Sequence, residues 1–154
     1  MHIVLRPARD DDFAFCWAMY AAEGAWMIHS MNLDLGVQAG KFRDSWKADE
    51  TRIIASAGKD VGWLQCRMQD GGLYLAQIFV DTTLQNRGIG TQVLKVVLKD
   101  AIAAGQAVTL GVVHNNPAVR LYKRLGFYVT GQDEREYRMR REPDVAAPIG
   151  NLRA

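Results

Sequence analysis

Apolar residues recur along this chain with two periods, and the alternation between them predicts the elements. His2 to Leu5 reads as a short strand ended by Pro7. Phe13, Cys16, Trp17 and Tyr20 then stand at i, i+3, i+4 and i+7, one face of a helix, with Asp10, Asp11 and Asp12 placed to suit its positive end. Leu35, Ala39, Phe42 and Trp46 predict a second helix after Asp34, weakened by Gly36 and Gly40. Thr51 to Ala57 reads as a strand, Gly58-Lys59-Asp60 as a turn, and Val61 to Gln69 as the next strand. Its two faces carry Gly62, Leu64, Cys66 and Met68, and Trp63, Gln65, Arg67 and Gln69. Asp70-Gly71-Gly72 is a hairpin signal, and Leu73 to Val80, apolar on both faces, is expected at the centre of a sheet.

The period then returns to helical. Val93, Leu94, Val97, Leu98, Ala101 and Ile102 form an inner stripe, Lys95, Lys99 and Asp100 face outward, and Gly105 stops the helix. Ala107 to Val113 is a buried strand, and strand–helix–strand order predicts a parallel crossover. A last helix starts at Pro117, with Ala118, Leu121, Tyr122 and Leu125 inward and Gly126 as its cap. Phe127 to Thr130 and Glu136 to Arg140 complete the sheet. From Glu142 onward Pro, Ala and Gly dominate. The expected organisation is one domain over 1–141 and a tail over 142–154, which a partner subunit would pin.

Composition narrows the class. A chain of 154 residues, 49% hydrophobic and 23% charged, is long enough to bury a core in one domain. A net charge of +2 is too small to argue for nucleic acid or a membrane surface, and neither is expected as a partner. Cys16 and Cys66 make neither a disulfide framework nor a metal motif, so a cytoplasmic setting is expected. His2 and His29 are too scattered for a metal site, and His114, at a strand end with no acid beside it in sequence, reads as structural.

The chemistry concentrates in Val80-Asp81-Thr82-Thr83-Leu84-Gln85-Asn86-Arg87-Gly88-Ile89-Gly90-Thr91, where a strand hands over to a helix. The first N–H groups of a helix lack internal partners and its dipole favours negative charge, so this is an anion site. Gly88 and Gly90 let a phosphate approach the main chain, and Arg87 adds a forked cationic donor. Thr91-Gln92 replaces the Lys-Ser or Lys-Thr of a P-loop, and Val93 stands where a dinucleotide fingerprint needs a third glycine. Taken alone, the loop also fits a turn that merely caps a helix.

Two blocks together resolve this. Gln85-x-x-Gly88-x-Gly90 after an Ile-Phe-Val strand resembles the acetyl-CoA loop of GNAT-type N-acetyltransferases. Downstream, Asn115-Asn116-Pro117-Ala118-Val119-Arg120-Leu121-Tyr122-Lys123-Arg124-Leu125-Gly126-Phe127 resembles the same family's Asn-x-x-Ala-x-x-Leu-Tyr-x-x-x-Gly-Phe segment. The resemblance is sharp from Leu73 to Phe127, architectural before it, and absent after Arg141. It implies an α/β fold with a mixed, mostly antiparallel sheet flanked by helices and parallel strands around the glycine loop. It also implies acetyl-CoA as co-substrate with no metal, held by the amides of Gln85, Asn86, Arg87, Gly88, Ile89, Gly90 and Thr91. Main-chain groups of Phe79 and Val80 would complete the cofactor contacts and polarise the thioester carbonyl, helped by a bulge that frees an N–H.

The resemblance places Tyr122 beside the cofactor sulfur, where a phenol protonated at neutral pH is the general acid. Asn115 bonds the pantetheine arm or caps the following helix, and both readings stay open. Gln77 stands where many relatives carry a basic glutamate, and glutamine takes no proton. A base would come from elsewhere, such as Glu23, or from solvent through a water chain. The acceptor side is expected from the segment Tyr20 to Met31, with Glu23 attracting a cationic amine and Trp26 lining an apolar slot; packing alone also accounts for Trp26, Met27 and Met31. Trp46 and Trp63 read as core, and Arg135, Arg138, Arg140 and Arg141 as a solvated face. The expected function is acetyl transfer to a primary amine of a small molecule in a ternary complex, in a chain that pairs as a homodimer. The alternatives are a protein lysine or N-terminal acetyltransferase, and a non-catalytic acetyl-CoA-binding module.

Overall fold

The computed structural model describes residues 2–85 and 87–143, apart from the side chains of residues 26 and 27. Seven strands form one sheet in the order β1-β2-β3-β4-β5-β7-β6. The strands are β1 Ile3–Pro7, β2 Thr51–Ser56, β3 Lys59–Gln69, β4 Gly72–Val80, β5 Val108–Val113, β6 Tyr128–Gln132 and β7 Glu136–Arg141. The helices are α1 Phe13–Glu23, α2 Ala25–Ser30, α3 Leu35–Ser45, α4 Ile89–Ala103 and α5 Ala118–Arg124. β4 and β5 pair in parallel, while β1 with β2, β2 with β3, β5 with β7, and β6 with β7 pair antiparallel. The mixed, mostly antiparallel sheet expected from the resemblance is therefore present.

Local chemistry sets the turns. Asp70 and Gly71 join β3 to β4 with φ of 52° and 76°, and Ala57 and Gly58 join β2 to β3 with φ of 52° and 77°. Two left-handed residues match the twist of the flanking strands. The second turn lies earlier than Gly58-Lys59-Asp60 because Ala57, not a turn-forming residue by type, takes a left-handed position. β3 accordingly starts at Lys59. Pro7 belongs to β1 rather than ending it, which an edge strand allows because one side of its backbone needs no ladder partner. The side chain of Asp34 accepts the Val37 N–H and opens α3.

The chain divides into two compact units, residues up to 65 with 77–90, and residues 66–76 with those from 91 onward. The first is built on an aromatic core. Cys16, Tyr20, Ile28, Phe42, Ile53 and Trp63 are buried, with Phe13, Trp17, Trp46 and Phe79 packed against them. Phe42 meets Trp63 edge-on at 5.7 Å, and Trp63 meets Phe79 at 5.5 Å. Buried Gln65 is satisfied by donating to Ser45 O and Glu50 Oε1 at 2.9 and 2.8 Å.

In the second unit the buried positions alternate: Val108, Leu110 and Val112 on β5, with Met139 and Arg141 on β7. α4 contributes Val93, Leu94, Val97, Leu98 and Ala101 to burial, but Ile102 at the helix's far end is exposed, contrary to the expected stripe. Arg141 also departs from expectation. It is buried, and its Nε donates to Leu125 O at 2.8 Å, so a cation closes the negative end of α5 instead of facing water. β4 is central in sheet order, but only Leu75 is buried, with the rest of the strand half-buried. The tail expected over 142–154 lies outside the described residues from 144 onward; Glu142 is held by Tyr128 and Arg140 at 2.6 and 2.7 Å.

Candidate active site

In the first unit, functional residues gather at the end of β4. The two-residue turn sets Gln69 opposite Gly72, and at the other end the Asp81 N–H donates to Val61 O at 2.8 Å. The run Val61–Gln69 thus faces Gly72–Asp81, which is one residue longer. Backbone direction agrees. Leu73 N–H donates to Ala107 O and Asp81 N–H to Val61 O, although residues an even number apart in an unbroken strand point their N–H groups to the same neighbour. β4 therefore carries a bulge, which releases backbone groups from the ladder and increases the local twist. Gly62 on β3 has no room for a Cβ, because the Phe79 carbonyl and the Val80 Cα occupy that position. The parallel register covers Leu73–Leu75 against Val108–Leu110, although β4 continues to Val80 and β5 to Val113.

Gln77, Phe79 and Val80 share this half-buried end of β4. Glu23, at the C-terminus of α1, is brought to the residue after it: Glu23 Oε1 accepts the Thr82 hydroxyl at 2.6 Å and the Thr82 N–H at 3.3 Å. Asp81 accepts Thr83 N–H and hydroxyl, which hold its carboxyl below its usual range. Gln85 Nε2 donates to Val80 O at 3.2 Å, tying the loop to the strand it leaves. Asn86 lies outside the described residues, and so does the side chain of Trp26, whose backbone belongs to α2. Arg87 is exposed.

Gly88 has φ 78°, a conformation that favours glycine. Ile89 is buried and anchors the first turn of α4. Among the described residues, and apart from its own helix backbone and chain neighbours, a Cβ at Gly90 would meet no atom within 4 Å. Neither backbone angle nor packing requires glycine there, so its missing side chain leaves space over the first turn of α4, which fits a ligand's phosphates.

The second unit holds Thr91, Asn115 and Tyr122. Thr91 is buried in the first turn of α4. Asn115 is exposed, and the capping role expected as one option for it belongs to its neighbour: Asn116 Oδ1 accepts the Ala118 N–H at 2.9 Å. Tyr122 is buried in α5 and packs edge-on against Phe127 at 5.6 Å. Burial pushes its phenol up to about 12, so it carries its proton throughout the neutral range. His114 lies against Tyr137 with ring centroids 4.4 Å apart, and its Nε2 is buried with no hydrogen-bond partner among the described residues. Thr82 and Asn116 had no distinguishing signal in the sequence, whereas Gly62 inside a strand is the ordinary mark of a close backbone approach.

The GNAT acetyltransferase family model matches residues 9–127, most of the chain. This protein belongs to the GNAT acetyltransferase family. As a GNAT it is an acyl-CoA-dependent N-acetyltransferase, with acetyl-CoA as its co-substrate. No curated protein sequence matches it. Solved structures share its fold. The GNAT chain is similar to the PaiA N-acetyltransferase of Thermoplasma acidophilum, solved with coenzyme A, at 14% identity and a TM-score of 0.76 over 92% of this chain and 99% of that one. It is also similar to the ribosomal-protein-S18-alanine N-acetyltransferase of Escherichia coli, at 16% identity and a TM-score of 0.70 over 99% and 100%. N-acetylglutamate synthase of Neisseria gonorrhoeae, complexed with coenzyme A and N-acetyl-glutamate, matches at 14% identity and a TM-score of 0.70, over 94% of this chain and 36% of that one. Among the described residues no group of three or more His, Cys, Asp or Glu is arranged to hold a metal ion, and no helix is long and apolar enough to cross a membrane.

Proposed function

We propose that this protein transfers acetyl from acetyl-CoA to a primary amine of a small molecule, directly and within a ternary complex. The observation that carries the reading is the buried phenol of Tyr122, kept protonated at neutral pH inside the Asn115–Phe127 block. When bound, acetyl-CoA supplies the activated acyl group. The amides from Gln85 to Thr91 hold its pyrophosphate, in the space that Gly90 leaves over α4. Backbone groups of Phe79 and Val80, at the end of a bulged strand, bind the acyl end and polarise its carbonyl. Asn115, relieved of capping by Asn116, bonds the pantetheine arm. Tyr122 gives its proton to the departing sulfur. Gln77 orients the acceptor without taking a proton, and Glu23 attracts a cationic amine while its Oε1 stays committed to Thr82. Residues 1–141 act together as the catalytic domain, and two copies pair, which light scattering checks.

A compact acceptor is supported by the fold neighbour N-acetylglutamate synthase, complexed with the small product N-acetyl-glutamate. A second reading, acetylation of a protein N-terminus, is supported by the S18-alanine N-acetyltransferase, whose whole length this chain covers. Thiol release from acetyl-CoA across a panel of small amines and N-terminal peptides separates the two, with Tyr122→Phe as control. Release with small amines, lost in the control, supports the proposal. Release with peptides alone overturns the small-molecule acceptor, and release unaffected by Tyr122→Phe removes Tyr122 from the mechanism.

A further inference from the structure

One face of the second unit's sheet is buried, and the other is polar and half-open. On the open face stand Tyr74 of β4, Thr109, Gly111 and Val113 of β5, and Glu136, Arg138 and Arg140 of β7. Glu136 lies opposite Val113, just before the β5 end that leads to Asn115. Its carboxylate reaches over Gly111: a Cβ there would meet Oε1 at 2.9 Å and Oε2 at 3.1 Å. Glycine is what allows the side chain to lie flat against the strand.

This carboxylate makes no side-chain hydrogen bond or ion pair among the described residues. The charged groups around it are otherwise placed. Arg138, two residues along the same face, turns toward Gly131, where a Cβ would collide with its guanidinium. Asp133 is committed to the N–H groups of Arg135 and Glu136. Arg140 is paired with Glu142. Tyr74 is the phenol that feels Glu136: burial first, then the Glu136 charge, raise it, and Arg67 opposes them. A half-buried carboxylate with no ion pair among the described residues, on an open face, is set up for a cation from outside the chain.

We propose that Glu136 is the acceptor-binding carboxylate: it receives the ammonium group of the primary amine and passes its proton to solvent. The inference rests on the transferase reading above, and it gives the reaction the carboxylate that Gln77 lacks. Glu136 takes one proton from the ammonium and frees the nitrogen lone pair. The C–N bond forms as the C–S bond breaks, and Tyr122 protonates the sulfur. Of the two protons the nitrogen loses, one restores Tyr122 and the other leaves to solvent.

The test measures thiol release from acetyl-CoA with n-butylamine, a cation at neutral pH, and with O-methylhydroxylamine, which is already neutral there. Wild type is compared with Glu136→Gln and Gly111→Ala, and acetyl-CoA affinity is measured in all three. The expected result is a KM for n-butylamine raised about tenfold or more in both variants, with the neutral amine and acetyl-CoA affinity nearly unaffected. The rise of kcat/KM with pH moves in Glu136→Gln toward the range where the free amine itself loses a proton. Equal effects on both amines, or none, overturn the role of Glu136 while leaving the transferase reading intact. Binding of acetyl-CoA with no turnover of either amine by wild type overturns that reading, and this inference with it.

Discussion

Glu23 Oε1 accepts the Thr82 hydroxyl at 2.6 Å, which fixes the last residue of α1 to the residue that follows β4 and its Asp81 junction. The helix end proposed to face the acceptor and the strand end proposed to bind the acyl group are thereby joined by one short bond. Thr82→Val removes the hydroxyl and leaves a half-buried carboxylate with a weaker partner, at a cost of about 1 kcal/mol in stability. Because one oxygen of Glu23 is already committed, Glu23→Gln is expected to raise the amine KM, but by less than Glu136→Gln does. Thermal unfolding and steady-state kinetics on the two variants check both statements.

The acid role proposed for Tyr122 carries a consequence for alkaline stability. Burial holds its folded-state phenol at about 12, above an ordinary value near 10. A raised pKa means the folded state keeps the proton longer. The contribution is full below about 10 and is lost as pH climbs from about 10 to about 12, amounting to roughly 2 to 3 kcal/mol. Tyr122→Phe is expected to flatten that loss in a pH series of unfolding curves. It also lowers turnover at neutral pH about a hundredfold, with acetyl-CoA affinity kept.

Gly90 separates folding from binding. Among the described residues nothing beyond its own helix meets a Cβ there, and leucine is a better helix former than glycine by about 0.5 to 1 kcal/mol. Gly90→Leu is therefore expected to hold or raise the melting temperature while weakening acetyl-CoA binding at least about tenfold. Calorimetry of unfolding and of binding reads the two effects; a melting temperature that falls with unchanged affinity would sink the assignment.

Gly62 makes the opposite prediction. Alanine there collides with the Phe79 carbonyl and the Val80 backbone, which cannot yield as a flexible side chain does. Gly62→Ala is expected to destabilise by about 1 to 3 kcal/mol. It should also depress transfer more than stability alone predicts, because Phe79 and Val80 are the groups displaced. Turnover per folded molecule, measured well below the melting temperature, is the discriminating quantity.

Adjacent asparagines divide two tasks. Asn116→Ala removes the acceptor of the Ala118 N–H and is expected to cost about 1 kcal/mol of stability. Asn115→Ala leaves stability unchanged and weakens acetyl-CoA binding. The reverse pattern, seen in melting temperature and affinity together, would return the capping role to Asn115.

Much of this was legible in the chain because local chemistry speaks through short spacing. The helical stripes at Phe13–Tyr20 and Val93–Ala101, the Asp70-Gly71 turn, and the strand–glycine–helix order around Gly88 depend on residues within a few positions of one another. So does the Asn115–Phe127 block, whose order with the glycine loop pointed to the family. Tertiary structure decided what depends on partners far along the chain. It gave Ala57 a left-handed turn, gave the cap to Asn116 rather than Asn115, and moved Arg141 from an expected solvated face to the buried end of α5. It laid the Glu136 carboxylate over Gly111, with no ion pair among the described residues, and committed Glu23 to Thr82. Periodicity states which face a residue occupies; only the fold states what waits on that face, because contact energies and desolvation depend on neighbours the local sequence does not contain.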